Sequence, residues 1–571
     1  MKFDKDIIVG IIICAVVLFG WDPLCKYMGW TSTPVPVNQV QTAPAAVEKA
    51  AKSPEAAVAA PKAKAGATVK KAEKTVKKTV ALPAVTLANK EVSYKISPVT
   101  GSVEAITLAD YKNAEQTGPV VLEKISSNAQ GALSLSGAMK WELENILSSR
   151  KSANKYTLSR RMKDSTGQSF IVTQTWELAE KGYSLKYTVN FANPGKNAVN
   201  IADAVLCGSE LPPWKIVSGD KVRIPSHRMD YMTAECSFGD IKADAKDSKF
   251  FLTPAPKVNW VALDNKYFAA ILQSKTPFVL NQKREFLNDG KDNYPIVTSG
   301  AWLGSIRLAP GESKSFDFNY YSGPKIIADL DAFDPSTSRV MHLAWGPLDY
   351  LARLLLWLLI KFNALLGSYG WSIILLTLVV RLIFYPLTAR GNASMKKMQQ
   401  VQPKLKEIRE KYKDNPQLMN TKMMELYRTE GVNPFGGCLP ILLQIPVFFA
   451  LYATLDGAVE LRQVSFLWCH DLAAADTVAR LPLYFFNLPI NPLVLAMTAL
   501  MVLQQHMTPM SMDPMQKKMM ALMPIVMLFM LYDLPSGLTL YWTVSNLFSI
   551  IQLKLQQRSR TKESQNTPVK S

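Results

Sequence analysis

The chain reads as a multi-domain integral membrane protein. It predicts an N-terminal anchor helix, a periplasmic antiparallel β-sandwich, and a C-terminal five-helix transmembrane bundle carrying a cytoplasmic helical hairpin. Three observations predict this. Long apolar runs are confined to the N-terminus and to residues beyond about 343. The stretch between them alternates apolar and polar residues at the strand period. Basic residues crowd alternate loops of the apolar half, as topology demands.

With 571 residues the chain holds two or more folded units. The net charge of +19 (65 basic against 46 acidic residues) would suggest nucleic acid or anionic lipid. Much of it sits in a linker and beside apolar spans, so no sequence-specific nucleic-acid partner is expected. The six cysteines show no metal-type spacing. Cys207 and Cys236 are the two in the β region, and their spacing alone does not establish a disulfide.

Residues 1–28 form the anchor, around the apolar run Ile7–Trp21. No small-x-small cleavage site follows it, so an uncleaved signal anchor is read rather than a removed signal peptide. The run continues past Cys14, which rules out a lipobox. Residues 29–84 are rich in Ala, Pro, Lys and Val and cannot bury a core, so they read as an extended tether. The β-sandwich spans 85–340. Ser169–Trp176 and Tyr183–Phe191 have strand character, and Asn193-Pro-Gly195 and Ala309-Pro-Gly311 are turns.

Residues 343–366 tempt a transmembrane reading. Asp349, Arg353, Trp357 and Lys361 recur every fourth residue, however, and the pattern predicts a helix lying in the membrane surface. The core spans 367–558, with crossings near Trp371–Thr388, Phe435–Leu455, Leu483–Gln505, Met519–Leu534 and Gly537–Leu555. Loop 389–433 carries ten basic and five acidic residues, whereas loop 456–482 carries two and four. The tail at 559–571 is basic again. This parity puts both termini in the cytoplasm and the β-domain outside, provided 343–366 does not cross.

Within the basic loop, Met398, Val401, Leu405, Ile408 and Tyr412 form a coiled-coil seam. Asn415 and Pro416 suit a helix start and Gly431 a helix end, predicting a hairpin over 390–432. A solvated connector and a docking surface for an acidic or RNA-rich partner both fit it.

Arg381 lies deep in its span. At that depth an arginine costs about 2.5–3.5 kcal/mol and should face water or a bundle interior, unless it snorkels to an interface. Apart from Asp533 at the very end of its span, no other span offers it a carboxylate. Thr377, Arg381 and Thr388 share one helix face, and Thr539, Thr543 and Asn546 a second, with Ser549 three residues on. Gln444 sits mid-span between Pro440 and Pro446. Together these polar groups predict a hydrated groove, although each alone fits simple helix–helix hydrogen bonding. Four scattered histidines and the absence of a phosphate-cradling loop predict neither catalysis, a cofactor nor a metal site.

The runs Asn433-Pro-Phe-Gly-Gly-Cys-Leu-Pro-Ile-Leu-Leu-Gln-Ile-Pro446, Val459-Glu-Leu-Arg462, Asp513-Pro-Met-Gln-Lys517 and Leu534-Pro-Ser-Gly-Leu-Thr-Leu-Tyr-Trp-Thr-Val-Ser-Asn546 resemble the YidC family of membrane protein insertases. The order of anchor, tether, β-domain and five-span core resembles its long Gram-negative form, whose β-domain is a supersandwich. The resemblance implies an insertase and chaperone for nascent inner-membrane proteins, acting through a groove open to cytoplasm and lipid. It maps groove contacts onto Arg381, Tyr541 and Trp542, the last replacing a tyrosine often found there. It implies as partners nascent membrane proteins, membrane lipids, the Sec translocon, the signal-recognition particle with its receptor, and the ribosome. The alternative class is a secondary transporter or channel, against which stand the missing intramembrane carboxylate and the lack of an inverted repeat.

Overall fold

The computed structural model describes residues 82–113, 116–123, 131–209, 216–218, 221–223, 233–236, 239–240, 257–288, 293–341, 343–432, 439–482, 487–507 and 514–566. The anchor, nearly all of the tether, His227, His342 and segments 433–438 and 508–513 lie outside the described residues.

Strands β1 (Val85–Ala88), β2 (Val92–Ile96), β3 (Val103–Lys112) and β4 (Pro119–Glu123) form an antiparallel meander. The larger sheet begins with β5 (Ser134–Ser136), β6 (Trp141–Lys151), β7 (Lys155–Asp164), β8 (Ser169–Leu178), β9 (Ser184–Ala192) and β10 (Val199–Ser209). A small hairpin, β11 (Ile216–Ser218) with β12 (Lys221–Arg223), stands apart from it. The larger sheet continues with β13 (Thr233–Cys236), β14 (Gly239–Asp240), β15 (Lys257–Asp264), β16 (Phe268–Asn288), β17 (Asn293–Leu308) and β18 (Ser313–Pro324). Its order is β14-β13-β15-β16-β18-β9-β8-β7-β6, with β17 branching from β16, β10 pairing with β17 and β5 with β10. Every strand pair is antiparallel, as the sequence predicts. Cys207 and Cys236 lie on β10 and β13, which are not neighbours.

The alternation is the cause of the layering. Phe170, Val172, Gln174, Trp176 and Leu178 of β8 point inward and their neighbours outward, so one face of the sheet is committed to the core. The two predicted turns close on each other: Gly311 N–H donates to the Asn193 carbonyl (2.9 Å) and Asn193 N–H to that of Glu312 (3.0 Å). Gly311 sits at φ +77°, a conformation other residues adopt only under strain. Arg160 ties the two sheets together inside the core. Its Nη1 donates to the Val99 carbonyl (2.8 Å) and its Nη2 to Gln174, which donates in turn to the Gly101 carbonyl (2.7 Å) and the Tyr187 hydroxyl (2.8 Å). Burial lowers the pKa of this guanidinium to about 10.

The C-terminal half is helical. After α1 (Ile327–Phe333) come α2 (Pro347–Leu366), α3 (Tyr369–Lys411), α4 (Pro416–Thr429), α5 (Leu439–Gly457), α6 (Pro492–Met507), α7 (Pro514–Met530) and α8 (Ser536–Asn566). Among the described residues only Tyr369–Gly391 is a helix long and apolar enough to cross a membrane by itself, while Pro492–Met507 and Ala521–Met530 are shorter apolar helices. The expected span Leu483–Gln505 is corrected at its start. Residues Ala479–Pro482 (β19) pair with Asn487–Ile490 (β20), and the helix begins only at Pro492. Pro482, Pro489 and Pro492 interrupt this apolar run, which hydropathy alone reads as continuous. Asp476 then accepts from the first-turn N–H of Leu493 at 2.7 Å.

In α2 the face bearing Leu348, Ala352, Leu355, Leu356 and Leu359 is buried, opposite the fourfold polar row. Two of those polar residues do more than meet solvent. Asp349 accepts from Leu343 and Ala344 N–H and from Arg353 Nε (2.6 Å), and Arg353 Nη2 donates to the Ser338 and Met341 carbonyls. They fix the connector leaving the β-domain. That domain also rests on the end of α5 and the loop after it. Lys266 pairs with Asp456 at 2.8 Å, Arg462 donates to the Lys112 carbonyl at 2.6 Å, and Gln463 donates to that of Asn113 at 2.7 Å.

The predicted hairpin forms. Val401 and Leu405 are buried with Val432, and Met398, Met423, Leu426 and Tyr427 pack on them. Asn415 caps α4 by accepting from Leu418 N–H (3.1 Å), Pro416 is its first residue, and Gly431 follows it at φ +58°. The first arm is not a separate helix, because α3 runs unbroken from the span to Lys411.

Candidate substrate groove

Helices α3, α5 and α8 meet around Arg381. Its guanidinium donates from Nε (2.8 Å) and from Nη2 to one acceptor, the hydroxyl of Ser545 on α8. That partner is neutral, and among the described residues no carboxylate pairs with the positive charge. The only carboxylates in α3 and α5 to α8 are Glu407, Glu410, Asp456 and Glu563, all remote along the chain from the polar centre. Asp456 is engaged by Lys266. A cation held by a hydroxyl keeps its field, and the field reaches further where little water screens it.

The other edge of Arg381 borders a small cavity that it shares with Phe384 and Thr388 of α3, Gln444 and Val447 of α5, and Tyr541 of α8. Gln444 is exposed, whereas Tyr541 is buried. Four predicted site positions, Arg381, Thr388, Gln444 and Tyr541, are thus gathered around one space.

The remaining predicted positions point elsewhere, for a geometric reason. Successive residues of a helix are rotated by about 100°, so Thr539, Tyr541, Trp542, Thr543 and Asn546 cannot all face one side. Thr543 donates to the Thr539 carbonyl (2.7 Å) and across to that of Leu493 on α6 (3.3 Å). Thr539 donates to Ser536 and Thr377 to Ile373, each within its own helix. These threonines are satisfied by backbone. Trp542 packs its ring on Phe448 of α5 at 4.9 Å between centroids. Asn546 is 5% exposed, and its amide nitrogen has no partner among the described residues.

Ser545 is the residue that sequence reading missed. It follows Tyr541 by one turn, and that spacing was the available signal. A lone serine in an apolar helix otherwise reads as a small packing residue.

Comparison with known proteins places these features in a family. Residues 84–358 match the family model described as the YidC periplasmic domain, and residues 361–564 match that of the 60Kd inner membrane protein. The membrane protein insertase YidC of Geobacter sulfurreducens is 38% identical over 390 residues, 68% of this chain and 68% of the relative. That of Geotalea daltonii is 33% identical over 463 residues, 79% of this chain and 82% of the relative. A solved structure of an active YidC insertase with its first transmembrane domain resolved is 18% identical, with TM-score 0.34, over 84% of this chain and 93% of the other.

Proposed function

The chain belongs to the YidC family of membrane protein insertases, and from that premise we propose that Arg381 draws the polar tail of a client into a groove between α3, α5 and α8. It is an insertase of the inner membrane with a periplasmic domain, and it is not an enzyme. The transporter alternative has no support among these relatives.

One observation carries the reading: a guanidinium within a membrane helix is held by a neutral hydroxyl and borders a cavity with Thr388, Gln444 and Tyr541. The cavity is only about 30 Å³, so the helices must part to admit a tail, and an acidic tail that enters is then stabilised by the cation, the more so where the effective dielectric constant is low. The membrane potential then pulls its negative charges outward by about 2.3 kcal/mol per charge per 100 mV. The tail need travel only part of the bilayer, so neither nucleotide hydrolysis nor a through-pore is required. The client's apolar segment leaves sideways into lipid along the third and last spans, α5 and α8. Thr377, Thr539, Trp542, Thr543 and Asn546 shape the surrounding walls.

The accompanying topology has cytoplasmic termini, an anchor at 1–28, the β-domain in the periplasm, α2 in the membrane surface and five spans. The hairpin then faces the cytoplasm, where it meets the ribosome and the signal-recognition particle with its receptor. The Sec translocon is a lateral partner for clients with long external domains.

The test uses Arg381→Lys, Arg381→Ala and Arg381→Glu with a matched pair of clients differing only in tail charge. Protease protection of the inserted tail is the readout. Lysine retains much of the activity, although it lacks the planar fork. Alanine and glutamate impair the acidic client more than the uncharged one. Equal loss for both clients would show that Arg381 braces the groove and does not attract the tail.

A further inference from the structure

We infer that the stretch Ser313–Phe318 of β18 is an open sheet edge that takes up an extended, acidic segment of polypeptide as an added strand. The site belongs to the β-domain and is independent of the groove around Arg381.

Strand registers place the opening. On one side β18 pairs with β9 from Ser313 to Tyr321. On the other it pairs with β16 only from Asn319 to Pro324. The long strand β16 then turns away to pair with β17, beginning at Val279 opposite Trp302. Between the diverging strands lies a cleft of about 600 Å³. Six residues of β18 therefore have a strand partner on one side only, over about 20 Å at the usual rise per residue, although the Asp317 carbonyl already accepts from Ser274 Oγ at 2.9 Å, a bond that an added strand would have to displace. Backbone groups on such an edge form a ready template for another strand.

The walls select among extended segments. Phe278 and Phe318 meet edge to face at 5.9 Å and form a buried apolar floor, while Trp302 is 40% exposed at the side. An alternating strand would set apolar side chains on this floor and turn the others outward. Lys186 and Lys275 line the opening and are exposed. The one carboxylate of the lining, Asp317, already accepts from the Thr188 hydroxyl at 2.6 Å. Two lysines against this one carboxylate leave the lining net positive, which favours acidic residues on the incoming strand. It disfavours the chain's own lysine-rich tether.

The experiment measures fluorescence anisotropy of labelled peptides with the full chain in zwitterionic nanodiscs. The probe is a peptide of about ten residues alternating valine with glutamate. Two controls are its lysine counterpart and a version N-methylated at alternate amides. The glutamate peptide should bind at least about tenfold more tightly than either control, because strand addition needs both the charge and the amide donors. Lys186→Glu with Lys275→Glu should reverse the charge preference, and Trp302→Ala should weaken binding about fivefold, as loss of an exposed aromatic contact implies. All three residues are exposed, so the variants retain the fold. Equal binding of the glutamate and lysine peptides, or undiminished binding after N-methylation, overturns the inference. Self-association that Trp302→Ala abolishes, without peptide uptake, would assign the edge to a second copy and also overturn it.

Discussion

Replacing Ser545 by alanine tests how the groove cation is held. Arg381 gives both its Nε bond and an Nη2 bond to that one hydroxyl. A hydrogen bond to a charged group is worth about 1.5–3 kcal/mol, and two donors sharing one oxygen earn less than twice that. Water admitted beside Gln444 and Thr388 recovers part of the loss, since a bridging water is nearly as good a partner. The net penalty is then about 1–2 kcal/mol, a factor of about 5–30 in the fraction of Arg381 held in its observed orientation. The acidic-tailed client should be inserted several-fold more slowly in Ser545→Ala, with the uncharged client much less affected. Ser545→Thr keeps the hydroxyl and should restore the rate. Ser545→Asp pairs the cation and should depress the acidic client most of all. The assay is protease protection over time in proteoliposomes. Wild-type rates for both clients in Ser545→Ala and Ser545→Asp would refute the reasoning, because the serine would then be a packing residue only.

Other expectations concern the β-domain and its seat. Lys266 and Asp456 are 16% and 8% exposed at the side chain, so Asp456→Leu alone strands a buried cation and should cost about 3–5 kcal/mol, while adding Lys266→Met recovers most of it. Equilibrium unfolding of the double-mutant cycle measures this. Burial, reinforced by Asp329, raises the Glu460 carboxyl above the usual carboxylate range. Between its ordinary value and that raised value the folded form holds a proton that the unfolded form has lost, so stability falls as pH rises through this window. Amide-exchange protection of residues 458–464, corrected for intrinsic rates, should therefore increase on mild acidification, and Glu460→Gln should flatten the dependence. Arg160→Lys keeps the charge but cannot reach both the Val99 carbonyl and Gln174, so it should loosen the Ser97–Ser102 turn and destabilise the domain by about 2–3 kcal/mol. Amide exchange at that turn and thermal unfolding of the full chain check it.

The parts legible in sequence are those governed by local periodicity. Strands β8 and β9, the hairpin seam, the Asn415 cap and the Gly431 stop all follow from side-chain spacing within a few residues. The late start of α6 was not legible to hydropathy, since the prolines around Pro489 outweigh the apolar run only once a strand partner at Ala479–Pro482 is available. The groove was half legible. Arg381 announced itself by its cost in lipid, and Gln444 and Tyr541 border the same cavity. Ser545 did not, because its role depends on which face of α8 meets α3, a matter of packing between residues 164 apart. The Thr539–Thr543 stripe was legible only as a face, since periodicity does not say what lies opposite, here the Leu493 carbonyl of α6. The polar row on α2 was read as facing the membrane surface, yet Asp349 and Arg353 are spent on the connector.

The unbroken course of α3 makes it a lever. Its 43 residues span about 65 Å, with Arg381 about 45 Å from the far end at Lys411. A sideways push of about 5 Å at that end would tilt a rigid rod by about 6°. The rod is not uniformly stiff. Pro386 has no N–H to offer the carbonyl of Leu382, so a weak joint sits immediately beside Arg381. Pro403, nearer the tip, interrupts the ladder a second time, so load applied there, by whatever docks, bends the shaft at two joints, and the part that passes Pro403 is felt at the groove.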